Sequence, residues 1–141
     1  AGLGLVGLGV AKAAGATLVL SDYDPLACAA LAVNAAWNGF GEAPVWEFDW
    51  RELGGAPEGS FDAIIGCDVM YESQAHQPLL DVLERYLAAG GAAYLADPGR
   101  SRLPQFLRRA EARGWSAVSE TSTGDPAGPA PGEYRLLTLR R

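Results

Sequence analysis

The chain is poor in residues that do chemistry by themselves. Its 141 residues include two cysteines, one histidine and one methionine. Cys28 and Cys67 sit inside apolar segments, which speaks against a disulfide framework and reads as two reduced, packed thiols. Neither they nor His76 show metal-ligand spacing, so no metal site is expected. His76 itself reads as a helix-surface residue. No Ser/His/Asp or Cys/His set can be assembled, which weakens any hydrolase reading. Basic residues number 11 against 17 acids, for a net charge of −6. Among the basic residues, Lys12 alone is a lysine. The basic face that would bind nucleic-acid phosphates or anionic lipid is therefore missing. No apolar run approaches the ~20 residues of a membrane span. No cleavable leader pattern is visible either, and a cytoplasmic protein, a monomer, is expected.

Hydrophobic residues make up 49% and charged residues 20% of the sequence, a balance that folds rather than staying disordered. The length suits a single domain over residues 1–141. A glycine-rich opening, AGLGLVGLGVAKAAGA, runs into a helix that stops near Gly15. TLVLSDYD reads as a buried strand ending in acids. Asp24-Pro25 supplies an N-cap and a first-turn proline for a helix with Leu26, Ala30, Val33 and Trp37 on one stripe. That helix ends at Asn38-Gly39. A short strand covers 45–50 and a fully buried one covers 61–67. A helix over 75–89 shows Leu79, Leu83 and Tyr86 on one face and is closed by Gly90-Gly91. AAYLADP is the next strand. Ser101 caps a helix burying Leu103, Phe106, Leu107 and Ala110, with Arg108, Arg109 and Arg113 toward its C-terminus. WSAVSET and YRLLTLR are the last two strands, joined by a Gly/Pro-rich loop.

This alternation predicts an α/β fold: a Rossmann-like, doubly wound, mostly parallel sheet with a C-terminal antiparallel hairpin. The link RELGGAPEGS carries no helix, but ten extended residues reach ~33 Å, enough for a parallel crossover needing ~22 Å.

In open α/β sheets ligands bind beyond the carboxyl ends of the strands. Gly2-Leu3-Gly4-Leu5-Val6-Gly7 has the spacing of a turn that lets a ligand approach the backbone and offers it helix N–H groups. Asp22 follows about 20 residues on, placed to accept ribose hydroxyls. The pattern specifies a nucleoside-containing cofactor without choosing between NAD and S-adenosylmethionine. Asp49 ends the next strand, where a carboxylate can accept an adenine amino group; its neighbour Trp50 reads as packing. Asp68 and Tyr71 leave the sheet together after an apolar strand, and a buried carboxylate needs partners. Asp97-Pro98-Gly99-Arg100 forms a rigid turn at the end of the following strand.

The strings GLGLVGL, LVLSDYDPLACAALAVNAAWNG, VWEFDW, FDAIIGCDVMYE and LADPGR, in this order, resemble the seven-β-strand, S-adenosylmethionine-dependent methyltransferases of the protein lysine methyltransferase group (methyltransferase family 16). The resemblance implies S-adenosylmethionine as cofactor. Gly2 and Gly4 would lie along its methionine part and Asp22 would hold its ribose. Asp49, with Trp50 beside it, would meet the adenine. Asp68 and Tyr71 would match the family's D-x-x-Y element at the target amine. The family begins with a strand ending in an acid and a further glycine. Ala1 stands inside the glycine run, so that central first strand is expected to be missing from this chain. The implied function is N-methylation of a lysine on a protein substrate. The alternatives are a small nicotinamide-like acceptor, an NAD-dependent oxidoreductase, or a non-catalytic binding fragment.

Overall fold

A computed structural model of the chain describes residues 1–54, 59–122 and 134–141. They form two compact units, Ala1–Leu53 and Gly54–Arg141, and the strands fall into two sheets rather than the single sheet expected. The link RELGGAPEGS runs from one unit to the other. Its residues 55–58 lie outside the described residues, and so does the crossover expected there.

In the first unit, helix α1 (Leu5–Ala14) leads to strand β1 (Leu20–Asp22), helix α2 (Pro25–Trp37) and strand β2 (Val45–Glu47). Gly15 closes α1 in the left-handed conformation, at φ 63°. The start of α2 is as its sequence predicts: Pro25 stands in the first turn and the Asp24 carboxylate accepts the Leu26 N–H at 2.9 Å. Strands β1 and β2 pair in parallel, Leu20 beside Val45 and Asp22 beside Glu47. Leu8, Leu20, Leu31 and Ala35 form the core of this unit, with Leu18, Phe40 and Val45 packed on it.

The expected stripe on α2 is not the buried one. Leu26, Val33 and Trp37 are exposed, whereas Leu31 and Ala35 are buried. The cause is composition: PLACAALAVNAAW is apolar nearly all round, so periodicity cannot choose its inner face. Both strands are also shorter than read, because pairing lasts for three residues.

In the second unit, β3 (Phe61–Cys67) precedes helix α3 (His76–Tyr86) and β4 (Leu87–Asp97). Helix α4 (Leu103–Ala112) is followed by β5 (Ser116–Ser122) and β6 (Tyr134–Arg140). The sheet order is β3-β4-β6-β5, with β3 and β4 parallel and β6 antiparallel to both its neighbours. The terminal hairpin is thus as expected, with its loop 123–133 outside the described residues. Alternation shows clearly in β6, where Leu137 and Leu139 are fully buried while Leu136 faces outward. Helices α3 and α4 meet through the His76 and Phe106 rings, edge to face at 5.4 Å. Arg113, the residue that caps the end of α4, holds Asp81 of α3 at 2.6 Å.

Four expectations in this unit need correction. Strand β3 keeps its predicted limits but is not fully buried: Asp62, Ala63 and Cys67 are exposed. Among the described residues β3 pairs with β4 alone, so its other edge has no strand partner among them. For the same reason Cys67 is not a packed thiol. Cys28 is half-buried, its thiol donating to the carbonyls of Asp22 and Trp46. Gly90-Gly91 does not close α3. The helix stops at Tyr86, Leu87 turns extended, and both glycines belong to a bulge between Phe61 opposite Leu87 and Ala63 opposite Ala92. Ser101 is not a cap either: the N-cap position falls on Arg102, with no side-chain bond.

The bulge explains why residue 91 is glycine. A Cβ there would lie 2.9 Å from the Asp62 carbonyl oxygen and 3.0 Å from that of Ala88, both backbone atoms that cannot swing away. Gly91→Ala should therefore destabilise the chain by about 1–3 kcal/mol, as overpacked sites do. Gly9→Ala, in the interior of α1 with nothing near its Cβ position, should stabilise by about 0.5–1 kcal/mol. Thermal melts of the two variants beside the parent chain check both signs.

Candidate active site

The acids among the sequence-predicted residues lie at carboxyl ends of parallel strands, in two groups, and Gly2 and Gly4 lie in the turn before α1. The first lies in the first unit. Gly2 takes φ 56° and nothing would obstruct a Cβ there; its N–H donates to Asp22 Oδ2 at 2.9 Å. The Ala1 nitrogen lies 2.6 Å from the same oxygen, and the Asp24 N–H donates to Oδ1 at 3.1 Å. Burial pushes the Asp22 carboxyl up, but these donors outweigh burial and hold it below the ordinary carboxylate range. Gly4 differs from Gly2. It is buried at φ 79°, and a Cβ on it would strike Leu31 at 2.7 Å, so its missing side chain admits α2. Asn34 of α2 donates to the Leu3 carbonyl at 2.9 Å and ties the glycine turn to that helix.

The Phe48 N–H donates to the Asp22 carbonyl at 2.8 Å, which carries the β1–β2 pairing one residue past Glu47 and sets Asp49 beyond the same end. Sequence reasoning missed its partner. Arg51, two residues on, engages both Asp49 oxygens through Nε at 2.9 and 3.0 Å and adds a bond from Nη2. Hydrogen bonds from its side chain and backbone hold the Asp49 carboxyl at about 2. An acid–base pair at spacing i, i+2 was the available signal. Trp50 is half-buried between them in the chain.

The second group lies in the second unit. Asp68 follows β3, and its N–H donates to the Ala96 carbonyl of β4 at 2.9 Å. It is the only non-glycine residue at positive φ among the described residues, at 59°, a conformation that Asp tolerates better than most. Arg100 grips its carboxylate with two bonds, Nη1 to Oδ1 at 2.7 Å and Nη2 to Oδ2 at 2.8 Å. The same guanidinium lies 5.5 Å from the centre of the Tyr71 ring. Asp68, Tyr71 and Arg100 are thus one cluster at the surface. Asp97, at the end of β4, is 1% exposed and accepts the Arg100 N–H at 2.7 Å.

His76 is corrected here: it is fully buried, not on the helix surface. Its Nε2 lies 2.9 Å from the Met70 carbonyl. A carbonyl can only accept, so Nε2 carries the hydrogen and donates. Met70 is itself fully buried while Tyr71 is half exposed, so this bond and this anchor present the ring outward. A lone histidine on a polar-looking helix start gave no sign of that role.

Comparison with known proteins fits this geometry. The lysine methyltransferase family model matches residues 1–111. The chain belongs to that family. It is 34% identical over 98 residues to the mouse (Mus musculus) electron transfer flavoprotein beta subunit lysine methyltransferase, a match covering 68% of this chain and 36% of that protein. The chain thus spans about a third of that relative's length. A TehB-like SAM-dependent methyltransferase from Corynebacterium glutamicum superposes with a TM-score of 0.71 at 21% identity, covering 98% of this chain and 74% of that one. The P. horikoshii protein TYW2 in complex with MeSAdo gives 0.67 at 19% identity, covering 99% and 53%. The fold is that of the Rossmann-like methyltransferases, and the cofactor that goes with the family is S-adenosylmethionine. Among the described residues no cluster of three or more His, Cys, Asp or Glu could hold a metal ion.

Asp49 offers a clean check of the first group. Its titration should have a midpoint of about 2. Because this folded-state value is depressed, whatever the Arg51 pair contributes to stability is present above ~4 and is lost as pH falls toward 2. Carboxyl-carbon NMR should find the midpoint in Arg51→Gln moved up toward the ordinary value of 3.8. An unmoved midpoint would show that Arg51 is not the cause.

Proposed function

We propose that this chain carries the cofactor and acceptor ends of an S-adenosylmethionine-dependent N-methyltransferase whose acceptor is a lysine side chain on a protein. The observation that carries the acceptor end is the Asp68–Tyr71 pair, a carboxylate and an aromatic face that together already engage a cation. Family membership and the lysine methyltransferase relative support the same acceptor class. A small nicotinamide-like amine is the second reading. The net charge of −6 suits a cationic protein segment better than it suits a nucleic acid.

The residues of the first unit fit the adenosine half of the cofactor. Asp22 is ionised and hydrogen-bonded at a strand end beside an unobstructed glycine turn, and a carboxylate in that place accepts hydroxyls. Gly2 leaves room for a ligand next to the backbone, while Gly4 supports the turn from inside. Asp49 can receive an amino group once Arg51, which is largely exposed, gives up one oxygen.

When bound, S-adenosylmethionine supplies an electrophilic methyl group. What the chain must supply is a neutral amine aimed at it. A free lysine has a pKa of ~10.4 and arrives protonated at pH 7, so the first task is to attract an ammonium and the second is to let its proton leave. Asp68 draws the ammonium by charge-assisted hydrogen bonding. Its left-handed backbone sets the direction in which the carboxylate points. Tyr71 lays an aromatic face along the amine and its carbon stem. Once the proton has gone to solvent, the same contacts orient the nitrogen lone pair, and orientation of this kind is the larger part of the rate gain.

Asp68→Asn keeps the shape and removes the charge. It should lower methyl transfer to protein lysine by ~100-fold, in the range of positioned acid–base groups. Tyr71→Phe should cost less, since the ring remains. Cofactor affinity by calorimetry should change by under ~1 kcal/mol in both, a small effect on the scale of a single hydrogen bond. Parallel loss of cofactor binding and transfer in Asp68→Asn would place that residue on the cofactor instead.

A further inference from the structure

Arg100 stands where an acceptor's cation would stand. A carboxylate gripped edge-on and an aromatic ring offered face-on are the two features that recognise an organic cation. In this chain both are filled by its own guanidinium. Two observations set the arrangement apart from an ordinary surface pair. Asp68 sits at φ 59°, in the left-handed region that few residues other than glycine occupy, and this backbone turn sets where its carboxylate points. Arg100 is delivered from a fixed turn: buried Asp97 anchors its N–H at 2.7 Å, and Gly99 before it takes φ 79°. The contact itself is weakly held. The Arg100 and Asp68 side chains are 40% and 51% exposed, and ion pairs this open contribute little to stability. The guanidinium can be displaced without unfolding anything.

We infer that Arg100 is a specificity-determining placeholder, occupying the Asp68–Tyr71 cation site until an acceptor ammonium displaces it. This rests on the reading of Asp68 and Tyr71 as the acceptor end. An alkylammonium regains from Asp68 and Tyr71 what the guanidinium gives up. A neutral ring nitrogen regains nothing from Asp68 for the ion pair it breaks. The arginine thereby favours lysine-like acceptors over uncharged heterocycles, at the expense of affinity for every acceptor. The opposite possibility is that Arg100 is a brace, holding Asp68 and Tyr71 in position for an amine that binds elsewhere on them. The two roles predict opposite signs when the arginine is removed.

The probe is n-butylammonium chloride, the lysine head group with its carbon stem. It is titrated into the chain and into Arg100→Gln by NMR at constant ionic strength, with sodium chloride as the matched control. Arg100→Gln should bind it ~3-fold or more tightly than the parent chain, within the range that loss of an exposed pair allows. Adding Asp68→Asn to that variant should abolish the gain. Weaker or equal binding in Arg100→Gln, or no binding to either chain, overturns the placeholder. Melting temperatures recorded on the same samples ensure that folded chains are compared. The titration needs no turnover, so its outcome is separable from the proposed reaction. A gain in binding with no lysine methylation by the parent chain would retire the reaction and keep the cation site. Methylation without the gain would retire the placeholder.

Discussion

Two parallel strands must release their chains at the same end, and nearly everything of chemical interest in this protein follows from that constraint. Asp22 ends β1 beside Glu47 of β2, and Asp49 lies two residues past Glu47. Cys67 ends its pairing beside Ala96, so Asp68 and Asp97 come off β3 and β4 together. Four acids are thus delivered to strand ends in pairs, each pair within one unit. Backbone pairing does the positioning, and the helices between the strands serve to bring the chain back.

Acids gathered in this way need donors, and the chain supplies them locally. Asp22 takes the Gly2 and Asp24 N–H groups, Asp49 takes Arg51, and Asp97 takes the Arg100 N–H. Asp68 takes the Arg100 guanidinium. All but the last of these donors lie close to their acid in sequence or at the neighbouring chain start. Asp68 recruits its cation from the turn after a different strand, 32 residues away. It is also the one acid of the four whose backbone adopts an unfavourable conformation. Strain and a borrowed cation at one residue mark a position shaped by something other than stability.

Much of the fold was legible because its signals are local. The Asp24-Pro25 start of α2, the limits of β3 and the antiparallel pairing of the last two strands depend on neighbouring residues and short-range pattern. What could not be read depends on long-range packing. The inner face of α2 is undetermined in an all-apolar sequence, and the burial of His76 depends on Phe106 and Met70 arriving from elsewhere. Gly90-Gly91 has the composition of a helix stop, yet the clash with Asp62 across the strand pair is what requires residue 91 to be glycine. The candidate site was legible as a set of acids at strand ends. Its ion pairs were not, because an arginine in a loop carries no period and Arg51 and Arg100 are defined by what they reach.

The proposed function requires that the residues of the first unit bind S-adenosylmethionine. Calorimetry of the chain with S-adenosylmethionine, S-adenosylhomocysteine and NAD, repeated on Asp22→Ala, measures that directly. Both sulfur nucleosides should bind, with a loss of ~30-fold in affinity in the variant, the size expected for lost charge-assisted hydrogen bonds. Tight binding of NAD with no signal from either sulfur nucleoside would contradict the proposed function.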